Sequence, residues 1–215
     1  NNTRKFFFGK DGDISWIKNK LKKKLKNYNH VNIDIRNYIS LKKIFIKYKK
    51  NIKLIIHAAA QPSHDWAKNQ PFIDFDINAK GTLNLLELTK SYCPEAPFIF
   101  MSTNKVYGDN PNLLPLIEKK TRWEIKSAHK YKSGIDETMS IDNCTHSFFG
   151  TSKSYADLIV QEYGRNIGLK TACFRAGCIT GPNHSGAKLH GFLSYLVKSS
   201  LQSKKYSLIG YRGNR

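Results

Sequence analysis

The sequence runs to 215 residues, 40% of them apolar, with a formal net charge of +20. That size buries one core of ordinary extent and leaves room for a small second lobe. No basic-then-apolar leader opens it, and its longest apolar stretch, Leu54 to Ala60, is far below the roughly 20 residues of a membrane span, so a soluble cytoplasmic protein with no membrane partner is expected. The four cysteines, Cys93, Cys144, Cys173 and Cys178, show no C-x-x-C spacing, and free thiols in a reducing compartment are expected. The cations are mostly Lys on the solvated faces of the first two helices, and no base-reading or base-stacking motif accompanies them. No specific nucleic-acid partner is therefore expected, only weak attraction for anionic substrates.

In chain order, Asp13 or Ser15 caps a first helix through Trp16, Ile17, Leu21 and Leu25, whose spacing makes one apolar stripe. Val31 to Ile35 reads as a short strand. Ser40 caps a helix with Leu41, Ile44, Phe45 and Tyr48 on one side. Leu54-Ile55-Ile56 is a buried strand that runs into the small residues Ala58, Ala59 and Ala60. A long helix spans Phe72 to Tyr92, followed past Pro94 and Pro97 by the strand Phe98 to Met101. A long irregular region precedes a helix at Gly150 to Ile167 and a strand at Thr171 to Phe174. A helix at Phe192 to Leu201 and a strand at Tyr206 to Ile209 close the chain. This alternation predicts an α/β doubly wound fold, a parallel sheet covered on both faces.

Ligands of such sheets bind at the carboxyl ends of the strands. The residues there are Asp34-Ile35-Arg36, His57-Ala58-Ala59-Ala60-Gln61, Ser102 to Gly108, and Arg175 to Pro182. Small residues after the second strand let a flat cofactor approach the backbone, and the Thr103 hydroxyl is suited to a substrate oxygen. Gln61, Ser63 and Asn183, uncharged and polar beside the cleft, are candidates for substrate contacts, and Lys105 is a further candidate. His64, His184 and His190 are too dispersed to make a metal site.

The order Asp-x-Arg, His-x-Ala-Ala, Asn78-Ala-x-Gly81-Thr82-x-Asn84-Leu-Leu-Glu87, Ser-Thr-x-x-Val-Tyr-Gly, Gly150-x-Ser-Lys153, then Arg175 and Gly181-Pro182 resembles the extended short-chain dehydrogenase/reductases. The segments Ser102 to Gly108 and Asn183 to Gly186 are most similar to the NAD-dependent branch that epimerises CDP-linked sugars of the paratose/tyvelose type. The resemblance implies a Rossmann-like NAD-binding domain over 1–182 and the start of a substrate lobe over 183–215. It implies NAD as cofactor, a nucleotide-sugar substrate, and a homodimer formed through the helices at Asn78 to Tyr92 and Gly150 to Ile167. It also implies that the first strand, its Gly-x-x-Gly-x-x-Gly turn and the first helix precede Asn1. Asn1, Thr3 and Arg4 would lie near the adenosine ribose, Asp34 and Ile35 beside the adenine, Ala58, Ala59 and Ala60 along the ribose and diphosphate. Asn78 would support the nicotinamide end, and Lys153 would serve both cofactor binding and catalysis.

In that family a Tyr four residues before the Lys takes the hydroxyl proton as hydride passes to NAD. Lys153 and Thr103 match, but the Tyr position is Phe149, which accepts no proton. Three accounts stand: the base lies elsewhere, with Tyr107, Tyr131, His146 or Lys153 as candidates; the chemistry runs slowly through Thr103 and water; or the protein binds nucleotide sugar without turnover. Asn104-Lys105 stands where related dehydratases carry Asp-Glu, which disfavours water elimination.

Overall fold

The computed structural model describes residues 2–188 and 190–207. In chain order the helices and strands are α1 (Thr3–Phe8), α2 (Ser15–Lys24), α3 (Tyr38–Tyr48), β1 (Ile55–His57), α4 (His64–Asn69), α5 (Pro71–Phe75), α6 (Gly81–Tyr92), β2 (Phe98–Met101), β3 (Leu116–Glu118), β4 (Trp123–Ile125), α7 (Ser147–Arg165), β5 (Thr171–Phe174) and α8 (Phe192–Leu201). Two compact units divide the chain: Ile35–Gly177, and Asn1–Asp34 together with Cys178–Arg215.

In the larger unit, β1, β2 and β5 form a parallel sheet with β2 central. Ile55 lies beside Phe98, which lies beside Thr171. Parallel neighbours require crossovers, and helices supply them: α4 to α6 between β1 and β2, α7 between β2 and β5. Successive strand residues face opposite sides of the sheet, so Phe98 and Phe100, both essentially inaccessible, share the face that packs against α6 and α7. His57 Nε2 and Thr82 Oγ1 are 2.9 Å apart there. A Cβ on Gly164 would meet Thr171 Oγ1 at 2.3 Å, so α7 reaches β5 most closely at a residue without a side chain. On the opposite face Ile56 and Phe174 are 61% and 52% exposed. The expected parallel, Rossmann-like α/β sheet is present, but not covered on both faces: the run Leu54 to Ile56, expected as a buried strand, leaves Leu54 49% exposed and Ile56 on the open face.

Pro71 opens α5 at a position where its missing N–H leaves no bond unmade. The segment then runs through a π-helical turn, Asp76–Lys80, into α6. The turn carries Asn78, and such wide turns recur at functional sites. The region read as irregular contains an antiparallel hairpin, with Ile117 opposite Glu124, over a small cluster of Val106, Tyr107, Tyr131 and Met139.

Two further expectations are corrected. Val31 to Ile35 forms no strand; among the described residues no strand runs alongside to satisfy its backbone groups, and an extended segment without a neighbour has no ladder to hold it. The cap of α3 is Asn37 rather than Ser40: the Asn37 Oδ1 accepts the Ser40 N–H at 2.9 Å, and the helix starts three residues earlier. Of the strand expected at Tyr206 to Ile209, Leu208 and Ile209 lie outside the described residues.

In the smaller unit, Asp13 Oδ1 accepts the Ser15 N–H at 2.8 Å at the start of α2. The Arg4 guanidinium donates to Ser185 O at 2.6 Å, sits 3.0 Å from His190 Nδ1 and lies over the Phe8 ring. That contact set joins the unit's two segments.

Candidate active site

The carboxyl end of β1 turns outward through Ala58 and Ala59, both exposed, and then folds back so that Gln61 is buried. A fully buried amide must find partners for every polar atom. Gln61 Nε2 donates to Ser63 O at 2.9 Å and to Asp74 Oδ1 at 2.8 Å, while its Oε1 accepts the Ser63 N–H. Asn78 closes the loop from the π turn: its Oδ1 accepts the Gln61 N–H at 2.9 Å, and its Nδ2 donates to Gln61 O, Asp74 Oδ1 and Ser152 Oγ. Burial pushes the Asp74 carboxyl above its ordinary pKa, opposed by its hydrogen bonds with Ser152 and Gln61 and by the charge of Lys153. The network ties the loop after β1 to α7. Ser63 then accepts the Trp66 N–H at 3.3 Å as the cap of α4.

At the end of β2, Ser102 is buried and donates to Asp157 Oδ2 at 2.5 Å. Thr103 is half-buried, and its Oγ1 accepts the Lys105 N–H at 3.2 Å, starting a tight turn over Asn104–Tyr107. Lys105 is exposed. Lys153 is 3% exposed; its Nζ donates to Met101 O at 2.8 Å and lies 4.0 Å over the Phe100 ring. Burial pushes this ammonium down to about 8, against the opposing charges of Asp157, Cys173 and Asp74. Asp157 takes a two-pronged bond from Arg175, Nη2 to Oδ1 at 2.8 Å and Nε to Oδ2 at 3.2 Å. Burial resists its ionisation, yet Arg175, Ser102 and Gln161 hold the carboxyl below its ordinary pKa. His57 is driven down to about 3 by burial, with Lys153 adding to the effect.

Phe149 is buried on α7, one turn before Lys153. The His64 ring meets it edge-on, centroids 4.9 Å apart. The alternative proton acceptors are engaged elsewhere. Tyr107 Oη donates to Asp136 O at 3.1 Å and accepts from Arg175 Nη1 at 3.1 Å; Tyr131 Oη lies 3.4 Å from Thr138 Oγ1; and His146 lies with Nε2 2.7 Å from Ile141 O and 3.4 Å from Cys144 Sγ, and Nδ1 3.3 Å from Lys105 O.

The larger unit thus brings together Ala58, Ala59, Ala60, Gln61, Ser63, Asn78, Thr103, Lys105 and Lys153 at the ends of two neighbouring strands. Ile35 instead packs against α6, its Cδ1 filling the space a Cβ on Gly81 would need, and its carbonyl accepts from Asn84 Nδ2 at 3.0 Å. Thr3, Arg4, Asp34 and Asn183 belong to the smaller unit, where Asn183 Oδ1 accepts from Lys20 Nζ at 2.8 Å; Asn1 lies outside the described residues. Sequence reasoning gave no role to His64 or Asp157, and named Ser102 and Arg175 only as members of the strand-end motifs.

A parallel α/β sheet with small residues, a hydroxyl and a buried lysine at its carboxyl edge belongs to the Rossmann-like, dinucleotide-binding class. More narrowly, the chain is a member of the NAD dependent epimerase/dehydratase family, whose sequence model matches residues 8–215. It is 31% identical over 196 residues to CDP-paratose 2-epimerase of Salmonella typhi, covering 91% of this chain and 54% of that protein. It is 29% identical over 168 residues to UDP-glucuronate 4-epimerase of Thermodesulfobacterium geofontis, covering 78% of this chain and 44% of that one. The fold is similar to that of UDP-glucose 4-epimerase from Thermus thermophilus, solved in complex with NAD, with a TM-score of 0.65 at 23% identity over 86% of this chain and 54% of the other. The chain spans about half the length of the relatives it matches.

Proposed function

We propose that this chain is the dinucleotide-binding part of an NAD-dependent epimerase that acts on a CDP-linked sugar of the paratose/tyvelose type through a keto intermediate. The observation that carries the reading is the 31% identity to CDP-paratose 2-epimerase across 91% of the chain. The residues fit the cofactor: Ala58 and Ala59 are exposed at the end of β1 with nothing beyond Cβ to fend off a flat ligand, and Lys153 brings a buried positive charge to the neighbouring strand end. Bound NAD supplies a reversible hydride acceptor, so one carbon inverts with no net oxidation. Thr103 hydrogen-bonds the reacting sugar oxygen, Lys105 reaches the sugar or its phosphates, and the charge of Lys153 favours loss of the hydroxyl proton. Gln61, Ser63 and Asn78 hold the loop that lines the pocket. Asn104-Lys105 offers no carboxylate for water elimination, which argues for epimerisation over dehydration. The whole protein pairs as a homodimer across α6 and α7, in keeping with the exposed Phe72 and Phe75 leading into α6 and the exposed Phe148 and Leu158 on α7.

A second reading, nucleotide-sugar binding without turnover, draws on Phe149 alone. The full-length protein, incubated with NAD and CDP-paratose in deuterated water, separates the two. Epimer without solvent deuterium at the inverted carbon, with transient reduced nicotinamide, is the expected result. Binding without epimer favours the second reading, and absence of binding sinks both.

A further inference from the structure

We infer that His64 is the group that takes and returns the sugar hydroxyl proton in this site, in place of the tyrosine that Phe149 displaces. The inference rests on the epimerase reading. His64 opens α4 immediately after the capping Ser63, and its ring lies against Phe149 with centroids 4.9 Å apart, beside the helical turn that carries Lys153. Its Nδ1 is 2.9 Å from Ser147 Oγ. That oxygen already accepts the Gly150 N–H at 3.3 Å, and its remaining lone pair suits an Nδ1–H. With the proton on Nδ1, Nε2 keeps a lone pair, and Nε2 makes no hydrogen bond among the described residues. This is the base-and-orienter arrangement of general base catalysis.

Ser147 reinforces the point. It sits at φ +64°, a left-handed conformation that costs a non-glycine residue on the order of 1 kcal/mol and persists where surrounding structure holds it. Its hydroxyl links that constrained corner of α7 to His64. The charged groups facing His64 are Lys105, from the turn after β2, and Asp65 on its own helix; burial and Lys105 hold the imidazole below its ordinary pKa, with Asp65 opposing. The ring is therefore neutral, and able to accept a proton, at neutral pH. In the first half-reaction the sugar O–H bond breaks and its proton passes to Nε2. The C–H bond breaks with its electron pair leaving to the oxidised nicotinamide dinucleotide, and the C=O forms. The second half-reaction returns hydride to the opposite face of the carbon, and Nε2 returns its proton to oxygen.

The test uses the full-length protein with NAD and CDP-paratose. His64→Gln is expected to lower kcat by about 10²–10⁴-fold with KM unchanged, and to abolish the acidic limb of the pH profile. Adding Phe149→Tyr to that variant is expected to restore turnover. Ser147→Ala, which leaves the imidazole in place and frees it to rotate, is expected to give a smaller loss in kcat and covers the case in which His64→Gln fails to fold. Independently of activity, the His64 resonance of ¹³C-histidine-labelled protein is expected to titrate below the ordinary histidine value, with a midpoint that moves when CDP-paratose is added. Wild-type kcat and pH profile in a folded His64→Gln protein, or a His64 midpoint indifferent to CDP-paratose, overturns the role of His64 and leaves the epimerase reading standing. Wild-type protein that neither binds nor converts CDP-paratose overturns both.

Discussion

Asp157 is held out of solvent and ionised by three partners, Arg175, Ser102 and Gln161. Removing one member of such a pair strands the other, and Asp157→Ala is expected to lose about 3–5 kcal/mol of stability at neutral pH, measured by urea denaturation. The sign with pH follows from its lowered carboxyl: the stabilisation is complete above the ordinary carboxylate pKa and fades as pH falls through the lower folded value. The gap between wild type and Asp157→Ala should therefore narrow in acid, and a gap that widens there would contradict the assignment. Thr103 and Lys153 were legible in the sequence because a motif of fixed local spacing carries them. Asp157 was not, since Ser102 lies 55 residues from it and Arg175 lies 18 away; no local pattern joins them. His64 reads as an isolated histidine for the same reason, its partner Ser147 lying 83 residues on.

The strands β2 and β5 and the helix α8 fall where apolar runs and turn signals put them. In β2 burial accompanies the pattern, with Phe98 and Phe100 buried; β5 and α8 leave Phe174, Val197 and Leu201 exposed, so there the β-branched and apolar composition and the flanking turn residues carry the signal. The hairpin β3–β4 escaped because strands of three residues are too short for alternation to stand out from a charged loop. Val31 to Ile35 has strand-like composition, but a strand is a property of a pair. The packing of α7 on β5 turns on Gly164, which no periodicity marks. Gly164→Ala drives a methyl into Thr171 Oγ1, on a β-branched side chain with little freedom to move aside. A loss of about 1–3 kcal/mol is expected, less what alanine returns through helix propensity. Thermal melts of Gly164→Ala, Thr171→Ala and the double variant check this: Thr171→Ala should recover much of the loss, and simple additivity would show that the two positions do not collide.

The proposed homodimer belongs to the scale of the whole molecule. Phe75 on α5 and Tyr155 on α7 lie with ring centroids 5.9 Å apart, and Phe72, on the same short helix as Phe75, is 85% exposed. A patch of this kind marks an interface more often than free surface. Light scattering of the full-length protein should give a dimer, and Phe72→Glu combined with Leu158→Glu should give a folded monomer; a wild-type monomer at micromolar concentration would end the proposal. The uncovered sheet face bearing Ile56 and Phe174 acts alongside the charge of +20. At low ionic strength mutual repulsion holds copies of the chain apart. Added salt shortens the reach of that repulsion to about 10 Å at 0.1 M while leaving the apolar attraction intact, so colloidal stability of the chain in solution should fall, not rise, as buffer is made saltier.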